Sequence, residues 1–215
     1  MKRFLAAAAV TLLAFSAAPS SGSTVRLDYT GSGPFGSPNL SEYVAIKGPV
    51  RGPIGVRAGP FRVTDQVDDF VAWCFDIAQN VGNHVTYHMA SNPLGDARAS
   101  LLNRLFTSFY HEVDTTTEGA AFQVAIWEIV YEDLASALTV DDGDFRAWHN
   151  DDVEDQANTW LANLGTEEKY SISYYLSGTN QDLLTAAPVP LPAGVLLLGT
   201  GLGALVVARR RRKMA

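Results

Sequence analysis

One cysteine occurs in the 215 residues, Cys74 within FVAWCFDIAQN, so an internal disulfide is excluded. Four uses of its thiol stay open from the residue types alone. It can pair with a second molecule, although Trp73 and Phe75 on either side indicate a buried strand. It can pack as a small apolar residue. It can act as a nucleophile beside one of His84, His88, His111 or His149, none of which sits in a recognisable local signature. Or it can meet the carboxamide of Gln123 in FQVAIWEIVYE, attack it, expel ammonia and leave an internal thioester, given proximity and orientation from the fold. Such a bond is an activated acyl group. An amine or hydroxyl brought to it takes the Gln123 acyl group and restores the thiol of Cys74.

The elements that must position these groups change character along the chain. Residues 19–69 are rich in Gly and Pro, and their short alternating runs (TVRLDYT, EYVAIKG, IGVRA, PFRVT) predict strands separated by turns. Alternation in FVAWCFDI sets Val71, Trp73, Phe75 and Ile77 on a core face. Phe70, Ala72, Cys74 and Asp76 then share a mixed face. From Asp96 the period becomes helical, with a stripe of Leu101, Leu102, Leu105, Phe106 and Phe109. A second helix is predicted with Thr116 or Thr117 as N-cap, Phe122, Ile126 and Ile129 along one face, and Gln123, Trp127, Val130 and Leu134 along the next. Trp127, one turn after Gln123, is placed to cover the acyl group and keep water away, or to serve as ordinary core. Asp76, on the face of Cys74, is a candidate to orient the incoming nucleophile or take its proton. Glu128 and Glu132 read as solvated. A third helix carries Val153, Ala157, Trp160, Leu161 and Leu164 and stops at Gly165, and YSISYYLSG reads as a returning strand. The fold class is therefore α+β, a β-rich lobe, sandwich or barrel-like, with a small helical lobe.

Both ends read as targeting segments. Lys2 and Arg3, an apolar run from Phe4 to Phe15 and then small residues have the layout of a signal peptide, taken as 1–18. At the other end Val189-Pro190-Leu191-Pro192-Ala193 leads into an uncharged apolar stretch, 193–208. Arg209, Arg210, Arg211, Arg212 and Lys213 follow it as a stop signal that stays cytoplasmic. The body of the chain, 19–176, is then exported, with 177–188 as linker. Removing Lys2, Arg3 and the five tail bases leaves 9 basic against 23 acidic residues, a net charge of −14, which argues against nucleic acid as a partner. The acidic run DDGDFRAWHNDDVEDQ lacks EF-hand spacing and reads as a solvated loop and helix start, so no metal and no cofactor is expected.

Two resemblances extend this reading. The ordered tail, residues 189–215, resembles the VPLPA variant of the PEP-CTERM sorting tail of Gram-negative bacteria. That implies recognition by an exosortase-type enzyme, membrane anchoring through the helix before processing, and release or re-anchoring at the cell surface. Trp73-Cys74-Phe75-Asp76 and Gln123-Val124-Ala125-Ile126-Trp127, in strand-then-helix context over about 58–176, resemble the bacterial thioester domains of surface adhesins. Where those domains carry a hydroxyl residue before the glutamine, this chain has Phe122. The resemblance implies a Cys74–Gln123 thioester, with Trp127, Asp76 and Trp73 in support. The expected protein is an adhesin rather than an enzyme, attaching to a protein amine or polysaccharide hydroxyl of a surface or matrix polymer. The alternatives are a structural biofilm protein without the bond, and a cysteine hydrolase.

Overall fold

The computed structural model describes residues 23–189. The signal peptide, the sorting motif from Pro190 onward, the apolar stretch and the basic cluster lie outside the described residues. Among the described residues no helix is long and apolar enough to cross a membrane.

Among the described residues nine strands and three α-helices follow one another: β1 Thr24–Tyr29, β2 Glu42–Gly48, β3 Arg51–Ala58, β4 Phe61–Thr64, β5 Asp69–Cys74, β6 Val85–Ala90, α1 Asp96–Phe109, α2 Thr116–Tyr131, β7 Arg146–Trp148, α3 Asp151–Ala162, β8 Tyr170–Leu176 and β9 Leu183–Pro188. Six strands close into an antiparallel barrel in the order β1-β4-β5-β9-β8-β6, and β3-β2-β7 form a separate three-stranded sheet. The chain is α+β, with the barrel the form its β lobe takes. Closure removes the sheet edges that a Gly- and Pro-rich β segment would otherwise leave exposed.

Several expectations are corrected. Residues 177–188, expected as linker, include β9, which closes the barrel between β5 and β8 because Leu183 and Leu184 are buried there. The core strand stops at Cys74, so Phe75 and Ile77 are buried beyond it rather than along it, and Ala72 and Cys74 on the other face are buried as well. The N-cap of α2 is Thr115, whose side chain accepts from the Glu118 N–H while Glu118 reaches back to the Thr115 N–H in a capping box. The acidic run holds β7 as well as the start of α3, which Asn150 caps through the Val153 N–H.

Helix α2 is the centre of the molecule. Every residue from Gly119 to Ile129 is buried, so those three turns have no solvent face. Glu42 of β2 ties its start to that of α3, accepting from the Thr116 and Thr117 hydroxyls and from the Asn150 side chain. Arg98 of α1 covers its end, donating to the carbonyls of Val130 and Glu132. Glu128 and Glu132 are buried, not solvated. Glu132 accepts from the Asp144 and Phe145 N–H groups, and Glu128 from that of Thr139, so the two carboxyls hold the acidic loop against the helix.

Burial pushes the Glu128 carboxyl up to about 8, with the nearby Glu132 and Asp141 charges adding to it and the Thr139 N–H opposing it. A carboxyl raised in the fold above its unfolded value stabilises fully below that unfolded value, and the contribution is lost as pH rises through the folded one. Stability is therefore expected to fall between about pH 5 and 8 with a slope of up to roughly 1.4 kcal/mol per pH unit from this group. Glu128→Gln keeps the acceptor for Thr139. In denaturant titrations across that range it should flatten the slope relative to the wild type.

Candidate functional site

The site begins where a strand runs out. Strand β4 pairs with β5 as far as Phe61 against Ala72. Before Phe61 stand Gly59 and Pro60. Proline has no N–H to give a ladder. At Gly59 the backbone has φ +153° and passes so close to Leu40 that a Cβ would lie 2.6 Å from its carbonyl oxygen. The chain turns away there. Cys74, two residues after Ala72 and so facing the same neighbour, is left without a strand on that side.

Gln123 fills the gap. Its Oε1 accepts from the Cys74 N–H at 3.1 Å, and its Nε2 donates to the Cys74 carbonyl at 2.6 Å, so one carboxamide does what the next residue of β4 would have done. Cys74 and Gln123 are each 1 % exposed, so water cannot substitute for either bond. The preceding residues bring them together: the Trp73 and Phe122 rings pack at 4.7 Å, and Phe106 stands edge-on to Phe122 at 4.9 Å. The pair singled out from the sequence is thus in contact, through the backbone of Cys74. Trp73 serves that contact from the aromatic cluster behind it.

The thiol donates to the carbonyl of Asp76 at 3.0 Å. The Asp76 carboxyl accepts through Oδ1 from the Ala78 N–H at 2.7 Å and from the Tyr131 hydroxyl at 3.4 Å, and its Oδ2 is buried without a partner. Tyr131 also accepts from the Ile77 N–H at 3.0 Å, which pins the turn after β5 to the end of α2. Burial raises the Cys74 thiol far above its ordinary range. The Asp76 and Asp182 charges add to this, and the Trp127 indole and Asp76 backbone oppose it. At neutral pH the resting thiol is protonated.

Cys74, Gln123 and Trp127 share a cleft of about 390 Å³, walled by Phe35, Arg51 and Arg57 among others. Arg51 donates to the carbonyls of Ile77 and Ala78, and Arg57 to Ser41 with its guanidinium 5.8 Å from the Phe35 ring centroid. His84, His88, His111 and His149 are exposed, and none lines the cleft. Among the described residues no group of three or more candidate ligands converges on a metal position.

The sequence reading missed Arg51, Arg57 and Tyr131. The first two lie on an exposed edge strand that gives no local signal. Tyr131 follows Gln123 and Trp127 at one-turn steps on α2, so the helical period carries their face on to Tyr131.

No protein-family model matches the chain, and no curated protein does. Solved structures are similar to it. The N-terminal thioester domain of a surface protein from Clostridium perfringens, in a cysteine-to-alanine form, has a TM-score of 0.42 at 13% identity, covering 68% of this chain and 99% of that one. The N-terminal domain of the Streptococcus pyogenes pilus tip adhesin Cpa has a TM-score of 0.41 at 17% identity, covering 78% and 93%.

The clamp has a stability consequence that is separable from any reaction of the thiol. In a Cys74→Ala background the backbone bonds to Gln123 remain. Adding Gln123→Ala there leaves a buried N–H and a buried C=O unpaired, and the double variant should be about 2–4 kcal/mol less stable than the single in equilibrium denaturation.

Proposed function

We propose that this is an exported surface protein that attaches covalently to a partner, through a thioester between Cys74 and Gln123. The observation that carries the reading is the two-point hold of the Gln123 carboxamide on Cys74 within a cleft that also reaches the thiol. It fixes the amide beside the only cysteine of the chain.

The chemistry follows from the bonds already present. Sγ attacks Cδ of Gln123, and negative charge gathers on Oε1, where the Cys74 N–H already donates. The C–N bond breaks, and Nε2 leaves as ammonia with the proton lost by the thiol. Asp76, whose carbonyl accepts from the thiol and whose Oδ2 has no partner, is the carboxyl assigned to pass that proton on. A partner amine or hydroxyl entering the cleft then adds to Cδ, and the Sγ–Cδ bond breaks. The partner keeps the Gln123 acyl group, and its lost proton returns to the sulfur. The thiol is regenerated but the glutamine is consumed, so each molecule acts once and the protein is not an enzyme. A thiol held protonated by burial suits such a single event better than repeated turnover.

The partner is a protein amine or polysaccharide hydroxyl of a surface or matrix polymer. The tail after Val189 is the part an exosortase-type enzyme would process, and the −14 charge of the exported part keeps nucleic acid from being the partner. A structural matrix protein of the same fold without the bond is the second reading, favoured by one observation: the clamp is complete as a hydrogen-bonded pair before any reaction. The hydrolase reading finds less support, since none of the four histidines lines the cleft.

Intact mass decides between the first two. The purified protein is expected to be light by one ammonia, to gain one methylamine on incubation with it, and to do neither as Cys74→Ala. Full mass with a thiol that alkylates in the folded protein would rule out the bond and leave the matrix role.

A further inference from the structure

Helix α2 carries a second polar group into the cleft, and it has nothing to bond. Trp127 is 3 % exposed, and its Nε1 has no hydrogen-bond partner. An indole N–H can only donate, so burial without an acceptor is unfavourable in the resting state. The Trp73 indole N–H is also unpartnered, but the rings of Phe106, Tyr110 and Phe122 surround it at 6.5, 6.3 and 4.7 Å and leave it in the core. Trp127 instead lines the cleft beside Cys74 and Gln123, with Phe145 as its ring neighbour at 6.3 Å.

Trp127 and Cys74 line the same cleft, and the indole N–H, which favours the thiolate, makes no hydrogen bond to the resting thiol. A neutral thiol is a weak acceptor and is already donating to Asp76; a thiolate is a strong one. Burial and the carboxyls of Asp76 and Asp182 oppose a negative charge on the sulfur, while the Asp76 backbone favours one. The orphan donor is therefore the side-chain group suited to the one species the site otherwise disfavours.

Resting on the thioester reading, we propose that the Trp127 indole N–H is a positioning donor that holds the Cys74 sulfur whenever it bears the electron pair of the Sγ–Cδ bond. In bond formation that pair attacks Gln123 Cδ as ammonia leaves. In bond opening the sulfur takes the pair back as the partner's amine or hydroxyl adds, and is then reprotonated by the proton the partner gives up. Trp127 lowers the barrier to both steps without touching the partner, which is a different role from covering the acyl group.

Trp127→Phe keeps an aromatic ring and removes the N–H. The full chain is opened with methylamine, and the rate of iodoacetamide alkylation of Cys74 is measured at fixed alkaline pH. In the variant this rate is expected to fall about tenfold or more, and methylamine opening to slow about tenfold or more. Either rate unchanged within twofold would overturn the proposal while leaving the thioester intact. If no ammonia is lost from the wild type, the thioester reading fails on its own, and the same alkylation rate of the free thiol still shows whether the N–H holds the thiolate. Should Trp127→Phe not fold, benzothienylalanine at position 127, which replaces N–H by sulfur in the same bicyclic outline, gives the same comparison. Its behaving as wild type would equally overturn the role.

Discussion

An unfinished strand organises this molecule. Cys74 lies inside the protein with a backbone N–H and C=O that the neighbouring strand does not reach, and two unsatisfied buried amide groups would remove a large part of a small domain's stability. The Gln123 carboxamide satisfies both, and its placement constrains much of the rest. A short side chain reaches across only if α2 runs directly over the end of β5. The Trp73–Phe122 contact, the Thr115 capping box and the Glu42 tie to two helix starts all set the height and angle of that helix.

The same constraint shapes the proposed reaction. A carboxamide used as a backbone mimic is held by its oxygen and its nitrogen, which leaves its carbon as the free electrophilic centre, and the residue it mimics a strand for carries the thiol. Proximity, orientation and an N–H donor at the oxygen are thus supplied by folding and not by a separate catalytic apparatus. Phe122, beside the glutamine, has a structural reason to be aromatic. It is the ring against which Trp73 packs, and a hydroxyl would leave that cluster with a hole.

The strands of the first third, the three helices and the pairing of Cys74 with Gln123 were legible in the sequence because each rests on local periodicity or on a rare residue type. What was hidden depended on distant partners. Strand β9 is two leucines in a polar, proline-ended segment, and only the gap between β5 and β8 makes them strand. Strand β7 is three residues long and lies among aspartates. Glu128 and Glu132 have the spacing of a solvated face, and nothing local announces that a loop folds over them and donates its N–H groups. Thr115 lost the cap assignment to its neighbours because three threonines stand in a row, and the choice falls to the one placed to pair with Glu118.

The full burial of α2 also bears on mechanics. A partner joined to Gln123 would pull on a side chain rooted in the most enclosed helix of the fold, flanked by α1 and α3 and lying against β2 and β3. Tension would therefore enter at the middle of the structure and spread over many simultaneous contacts, instead of peeling a loop or an edge strand one bond at a time. An attachment point there would resist rupture because it offers no free end from which to unzip.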